Sequence, residues 1–294
     1  MAKSFQLSKK RQEITSKVLS YIILGLAVLI VLAPFSIVIA LSLQSHSEAV
    51  NPPFRYFEGT ISFDASYGEF IEDGFVWKGL VNTLIIVVPI MFSGVFFSAL
   101  SAFSFAKLRF KSKKIMFAIL LGSMMLPGII TMTPAFFIYD RLGWINNIDN
   151  PILAYLPLML PNLLGTAACT FYLTQYFKGI PDELIEAARV DGLSNFGIFI
   201  KIFLPLSLPA LIAQILLWFI AGYNDYLGPL LYIGTEEYYT LQLFLNLIAG
   251  NTSVTNLPKV MAACVTVMAP ILLLYLIFQE YFLKGISLSS GKED

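Results

Sequence analysis

Six long apolar runs constrain the fold of this chain more than any other feature of its sequence. They cover residues 18–43, 80–106, 115–139, 152–177, 203–222 and 260–283, and none contains Lys, Arg, Asp or Glu except at its ends. A helix rises about 1.5 Å per residue, so about 20 apolar residues cross the hydrocarbon layer of a bilayer. The sequence therefore predicts an all-α polytopic membrane protein with six transmembrane helices.

The composition agrees with this class. Charged residues make up 13% of the 294-residue chain and hydrophobic residues 57%, whereas a soluble domain carries about 25% charged residues. The segments between the runs are too short for a sizeable soluble domain. We therefore expect one six-helix membrane domain over residues 18–283, a tail over 1–17 and a tail over 284–294. The 44–79 loop is a candidate cap on the outer face.

Basic residues predict the orientation, because loops rich in Lys and Arg stay on the cytoplasmic side of the membrane. They concentrate in the N-terminal tail, in the 107–114 loop, in the 178–202 segment and in the C-terminal tail. The opposite side keeps only Arg55, Lys78, Arg141 and Lys259. Both termini, and the segment between the fourth and fifth runs, are therefore expected in the cytoplasm of the cell.

The cytoplasmic segment from residue 181 to 211 is polar at its start and apolar at its end. Pro181 suits the first turn of a helix, Gly192 suits its end, and Ser194 can cap a second helix. The pattern predicts a short helix, a glycine turn, a second helix and entry into the membrane. The expected apolar strip of the first helix is Leu184, Ala187, Ala188 and Leu193.

This short helix could lie on lipid or dock into another protein. Lipid-binding helices favour Lys and Arg with bulky apolar residues, whereas this helix offers acidic residues and alanines. Small side chains and fixed charges favour docking into a protein groove.

The spacing within this segment resembles the EAA signature of bacterial ABC importer permeases. Glu186-Ala187-Ala188 is followed after three intervening residues by Gly192, after nine more by Ile202, and after one more by Leu204-Pro205. Other stretches are similar to the carbohydrate-uptake branch, in particular the smaller six-helix permease of the maltose-type transporters. They are "NTLIIVVP" at 82–89, "SAFSFAKLRFKSKK" at 101–114, "MMLPGIITMTPAFFIYDRLGWINN" at 124–147, "GYNDYLGPLLY" at 222–232 and "QEYFLKGI" at 279–286.

The resemblance implies a coupling helix that docks into a cytoplasmic ATPase. The docking residues would be Glu186, Ala187, Ala188, Arg189, Asp191 and Gly192. It also implies a second, different permease, two ATPase subunits, an extracytoplasmic sugar-binding protein, a carbohydrate substrate and surrounding membrane lipid. The chain has no phosphate-binding GxxxxGK[ST] loop, so ATP and Mg are expected on the partner ATPase and no cofactor on this chain. Nucleic acid is not an expected partner.

A sugar path needs polar and aromatic contacts rather than a catalytic site. Candidates for its lining, which bundle hydrogen bonds could equally explain, are Asn82, Thr131, Asn162, Gln214, Tyr223, Asn224 and Asp225.

Rival functions find less support. An ion-coupled secondary transporter needs charged residues within its spans, and the six runs carry none except at their ends. A membrane-embedded enzyme needs a cluster of catalytic side chains, but the chain has a single histidine, His46. No metal site is expected, and Cys169 and Cys264 are expected to be packing residues. Within the ABC class the cargo could instead be a polyol, glycerol phosphate, an amino acid, a peptide or phosphate.

Overall fold

The protein is predominantly helical in the part of the chain that its computed structural model describes, which comprises residues 2–50, 56, 61, 63–68, 71, 74–251 and 256–289. The α-helices are α1 Ala2–Ser42, α2 His46–Val50, α3 Phe75–Lys107, α4 Lys113–Ser123, α5 Gly128–Arg141, α6 Pro151–Leu163, α7 Ala167–Lys178, α8 Glu183–Val190, α9 Asn195–Ile198, α10 Leu204–Leu206, α11 Leu208–Tyr223, α12 Leu227–Tyr232, α13 Leu241–Asn251 and α14 Leu257–Ser289. Short π-helical turns lie at Asp64–Gly68 and Phe199–Phe203, and a 3₁₀ turn at Glu236–Tyr238. These ranges contain no strand.

The chain divides into two compact units. The first comprises residues 1–73 and 248–268, and the second comprises 74–247 and 269–294. In the first unit the side chains of α1 between 14 and 37 are largely exposed and apolar, as expected of a helix that faces lipid. At its end the hydroxyls of Ser42 and Tyr67 lie 3.0 Å apart. Much of the predicted outer cap at 44–79 lies outside the described residues.

The apolar runs form four long helical spans and two bent pairs. Ile14–Ser42, Phe75–Lys107, Pro151–Lys178 and Leu257–Glu280 are long and apolar enough to cross a membrane. The run at 115–139 is two helices, α4 and α5, which meet at 92°. The run at 203–222 is also broken, because Asn195–Leu206 and Leu208–Tyr223 meet at 79°. With each bent pair counted as one span, the described part of the chain has up to six spans. The all-α polytopic fold class is confirmed, although two spans are bent.

Proline explains where the bends fall. Pro127 takes an extended conformation (φ −62°, ψ 129°) and precedes α5, and a residue before proline is itself pushed out of the helical region. At the second bend Ser207 separates α10 from α11, between Pro205 and Pro209. Neither proline can donate a backbone hydrogen bond, so both weaken the helical ladder around the break.

The core of the second unit is an aromatic cluster that joins three segments. Phe103 of α3, Phe177 of α7 and Phe199 and Phe203 of the π-helical turn are at most 2% exposed. The Phe103 and Phe203 rings lie 4.8 Å apart and the Phe177 and Phe203 rings 5.4 Å apart, both edge to face. Such pairs contribute about 0.5–1.5 kcal/mol each beyond their burial. The cluster therefore packs the chain that follows the predicted docking segment against α3 and α7.

Candidate functional site

The predicted docking segment folds into the short helix α8, held at both ends by local hydrogen bonds. At its start the carbonyl of Asp182 accepts the amides of Ile185 and Glu186 at 2.9 and 3.1 Å. The helix begins at Glu183, so Pro181 precedes it and does not lie in its first turn as the sequence predicted. Glu183 and Glu186 occupy the positive N-terminal end of the helix, where carboxylates are favoured.

Gly192 ends α8 with a left-handed turn. Its φ is +81°, a conformation that side chains with a Cβ rarely adopt. The Gly192 amide donates to the Arg189 carbonyl at 3.0 Å, and the Leu193 amide donates to the Ala188 carbonyl at 3.0 Å. These two bonds form a Schellman motif, which satisfies the last carbonyls of the helix. The predicted glycine stop is confirmed.

Ser194 starts the next helix directly after this turn. Its hydroxyl oxygen accepts the amide of Gly197 at 3.2 Å, and its backbone is extended (φ −70°, ψ 162°), as an N-cap requires. The predicted cap is confirmed. Only Leu193 separates the end of one helix motif from the start of the next, so the segment has little freedom to swing.

One face of α8 is anchored and the other is free for a partner. Ile185 and Ala188 are 5% and 4% exposed and belong to the core cluster of the second unit. Leu184 and Ala187 of the expected apolar strip are exposed, so that strip is not the face that packs against the core. The actual inner face is set by Ile185, because α8 turns this residue and Ala188 toward the core.

The outward face combines acidic and small apolar side chains. Glu183, Glu186, Ala187 and Val190 are exposed, with Val190 at 88%. Of the other predicted docking residues, Asp191 and Arg189 are also exposed, whereas Ala188 is buried. Arg189 donates to the Asn195 side chain at 3.4 Å. The face can therefore offer two carboxylates and a shallow apolar surface to a groove.

An ion pair ties the start of this helix to the long helix α3. The Lys107 ammonium donates to the Asp182 carboxylate at 2.6 Å and to the Ile180 carbonyl at 2.5 Å. Lys107 is buried, with 6% side-chain exposure, and Asp182 is exposed. The hydrogen bond and the charge of Lys107 hold the pKa of Asp182 below its ordinary value, with a smaller contribution from Arg109. The Lys107 pairing was not anticipated from the sequence.

A second candidate site is a cavity of about 350 Å³ inside the second unit, bounded by α3, α6, α11 and α12. Its polar and aromatic lining residues are Thr83, Asn162, Thr166, Trp218, Asp225 and Thr240. Ligand pockets in proteins have about 300–1,000 Å³, so the cavity has room for a small solute. The helix break between α6 and α7, at Leu164–Thr166, adjoins it.

The cavity separates the predicted path residues into two groups. Asn162 and Asp225 line it. Asn82 donates to the carbonyls of Glu237 and Tyr239, and Asn224 donates to the Ile220 carbonyl. Gln214 and Tyr223 are buried, and Thr131 is exposed and donates to the Gly128 carbonyl of its own helix. These five residues are absent from the described lining.

Asp225 holds the turn at one end of the cavity. Its carboxylate accepts the Gly228 amide at 3.2 Å. Desolvation by the surrounding protein raises the pKa of this carboxyl above its ordinary value, although bonds from the Gly228 and Leu227 amides partly oppose that shift. Four polar or aromatic lining residues were missed from the sequence: Thr83, Thr166, Trp218 and Thr240. No linear signal distinguishes them, because they come together only through the fold.

Clusters of His, Cys, Asp or Glu that could hold a metal do not occur among the described residues.

Comparison with known proteins decides the family. The family model described as "Binding-protein-dependent transport system inner membrane component" matches residues 94–288, more than half of the chain. The chain belongs to this family. The permease is therefore a multi-pass protein of the cytoplasmic membrane and a transport subunit.

Individual relatives confirm the resemblance to ABC importer permeases. The arabinooligosaccharide transport permease of Halalkalibacterium halodurans is 29% identical over 95% of this permease and 98% of its own chain. The trehalose/maltose permease of Thermococcus litoralis is 28% identical over 96% and 99%. The sn-glycerol-3-phosphate permease of Pectobacterium atrosepticum is 33% identical over 70% and 71%.

A solved structure shows the same fold. It belongs to a bacterial ABC transporter involved in the import of the acidic polysaccharide alginate. One of its chains matches with a TM-score of 0.78 and 24% identity, covering 92% of the permease and 98% of that chain.

Proposed function

We propose that the permease is one of two membrane subunits of an ATP-driven ABC importer that moves a mono- or oligosaccharide into the cell by alternating access. The observation that supports this proposal most is the construction of α8. Its inner face is fixed to the core, its ends are closed by Gly192 and Ser194, and its outer face is exposed. A helix of eight residues is too short to be stable alone in water, so this local framework suits a rigid docking element.

The proposed partners follow from the family and from the charge pattern. They are a second permease that is a different chain, two ATPase subunits and an extracytoplasmic sugar-binding protein. ATP and Mg would bind to the ATPase subunits. The basic loops of the permease would lie in the cytoplasm with both termini, and its exposed apolar helices would contact membrane lipid.

The proposed mechanism uses α8 as a rigid lever. ATP binding closes the ATPase pair and moves the docked helices with it. The displacement would pass through Ile185 and Ala188 into the core, and through the ion pair of Asp182 with Lys107 into α3. The second route is short, because Asp182 immediately precedes α8. Movement of α3 and α11 would then open the path to one side of the membrane at a time.

A carbohydrate cargo is supported by the arabinooligosaccharide and trehalose/maltose relatives. The 33% identical sn-glycerol-3-phosphate permease supports a second candidate, an importer of a phosphorylated polyol. The two differ in the charge of the solute, so the chemistry of the lining separates them.

The test of coupling is the charge reversal Glu186→Lys in the intact importer, isolated through a tag on the permease. An unpaired charge in a docking interface costs about 2–5 kcal/mol, so we expect at least a tenfold loss of ATPase co-purification and of ATP-driven sugar uptake. Glu236→Lys is the matched control, because Glu236 is an exposed acid in the 3₁₀ turn, remote in sequence from α8. Normal ATPase binding and uptake with Glu186→Lys would refute the docking assignment.

A further inference from the structure

The cavity contains a buried hydroxyl for which the described residues provide no hydrogen-bond partner. Thr240 lines the cavity and is 4% exposed, and its Oγ1 has no hydrogen-bond partner among the described residues. Leaving such a group unsatisfied costs about 1–3 kcal/mol. The hydroxyl of Thr83, by contrast, is hydrogen-bonded both as donor and as acceptor. It donates to the Gly79 carbonyl at 2.7 Å and accepts the Leu241 amide at 3.0 Å. The unpaired hydroxyl of Thr240 therefore indicates a polar ligand.

Further lining groups suit a sugar. Trp218 lines the cavity, and the face of an aromatic ring packs well against the C–H groups of a sugar ring. The side-chain amide of Asn162 and the carboxylate of Asp225 also line it and accept hydroxyl protons. The helix break beside Asn162 fits this use, since irregular backbone at membrane depth is tolerated where it lines a cavity.

The charge of the lining selects against anions. Asp225 is the only charged residue among the described residues that line the cavity, which include no Lys, Arg or His. A phosphate or carboxylate would meet this carboxylate in a site of reduced dielectric with no cation to offset it, and like charges repel more strongly there than in water. Neutral hydroxyl groups meet no such repulsion.

We infer that this cavity is a subsite on the permease itself for a neutral sugar unit, and that it excludes phosphorylated and acidic solutes. The inference rests on the proposed function, of which it specifies the substrate class. It also means that this subunit contacts the cargo directly and does not only transmit motion.

The first experiment measures protection of a cysteine in the cavity. Thr240→Cys is introduced together with Cys169→Ala and Cys264→Ala in the intact importer in nanodiscs, with and without a non-hydrolysable ATP analogue. The rate of reaction of Cys at 240 with a small maleimide is measured by mass. We expect maltose or arabinotriose to slow the reaction at least fivefold in one of the two states, and sn-glycerol 3-phosphate to leave it unchanged. Protection by sn-glycerol 3-phosphate, or by neither solute, would overturn the inference.

The second experiment uses Thr240→Val, which keeps the shape and removes the hydroxyl. We expect ATP-driven uptake of the same neutral sugar at subsaturating concentration to fall at least fivefold. Thr266→Val is the matched control, since the Thr266 hydroxyl donates to the Ala262 carbonyl of α14. Wild-type uptake by Thr240→Val would show that the hydroxyl serves no ligand and would contradict the inference.

The two proposals fail in different ways. If the wild-type importer takes up a neutral sugar while both Thr240 experiments are negative, the cavity assignment alone is wrong. If the wild-type importer binds no ATPase and takes up no carbohydrate, the proposed function is wrong and the inference falls with it.

Discussion

Lys107 at the end of α3 and Asp182 just before α8 form an ion pair of 2.6 Å across 75 residues of sequence. The pair joins a long membrane helix to the segment that we propose for docking. Lys107 is the buried partner, so loss of Asp182 would leave the Ile180 carbonyl as the remaining acceptor of its ammonium group among the described residues.

Asp182→Asn should loosen the start of α8 and weaken coupling, because an amide cannot neutralise the buried ammonium of Lys107. We expect faster hydrogen–deuterium exchange at residues 183–188 and a lower ratio of sugar transported to ATP hydrolysed. Asp140→Asn, at an exposed acid near the end of α5, is the control and should change neither. Unaltered exchange in Asp182→Asn would mean that the pair does not order the helix.

Gly192 should tolerate asparagine better than alanine, and proline least. Space is not the reason, since a Cβ at this position meets no atom within 4 Å. The left-handed φ of +81° is the reason, and it costs a residue with a Cβ about 1–2 kcal/mol; proline cannot adopt it and would also lose the bond to the Arg189 carbonyl. Uptake and thermal unfolding of the three variants should follow this order.

Gly122→Ala provides the control for this series. Gly122 also has open space around its Cβ position but lies in α4 without a positive φ, so alanine there should be harmless. Full uptake by Gly192→Pro would sink the assignment of the turn to coupling.

Gly94→Ala should disrupt the wall of the cavity. A Cβ on Gly94 would overlap the indole of Trp218 and lie 2.6 Å from the Asn162 carbonyl oxygen. Overpacking of this kind costs about 1–3 kcal/mol, so we expect a lower melting temperature in detergent and weaker sugar uptake. Gly25→Ala, which meets no atom within 4 Å, should melt like the wild type. Equal melting of Gly94→Ala would show that α3 and α11 are less closely packed than described.

Asp225→Asn should stabilise the fold at neutral pH and impair transport. The pKa of Asp225 is raised in the folded protein, so the folded state binds more protons than the unfolded state between the ordinary pKa and the raised one. Stability therefore falls as pH rises through that window, and the loss is complete above the raised pKa. Asparagine carries no charge, so its advantage in melting temperature should shrink as the pH is lowered toward 4. An advantage that does not change with pH would exclude desolvation of the carboxylate as its cause.

Local chemistry in the sequence predicted the spans, the end of α8 and the start of the helix that follows it. Gly192 and Ser194 act on their own backbone neighbours, so their roles can be recognised without the rest of the fold. Which of Leu184 and Ile185 lies on the inner face could not be predicted from the sequence, because this depends on where α8 meets the core. Proline located the bends but not their angles, which depend on packing between helices.

The lining of the cavity was harder to predict from the sequence than these helix features. Thr83 and Thr240 are separated by most of the chain and meet only after α3 and α13 have packed, with Phe244 and Leu241 against Gly79. A threonine whose hydroxyl is hydrogen-bonded to the backbone cannot be distinguished in a sequence from one whose hydroxyl is not. Only the hydrogen-bond pattern separates Thr83 from Thr240.

The exposure of Val190 has a consequence for how quickly the protein is degraded in the cell. Val190 is 88% exposed and lies beside Ala187 and Leu184, so any copy without the proposed ATPase partner leaves a small apolar patch exposed on α8. Unshielded apolar surface attracts chaperones and proteases. Orphan permeases should therefore be cleared faster than assembled ones, so that α8 would report to cellular quality control whether the importer is complete.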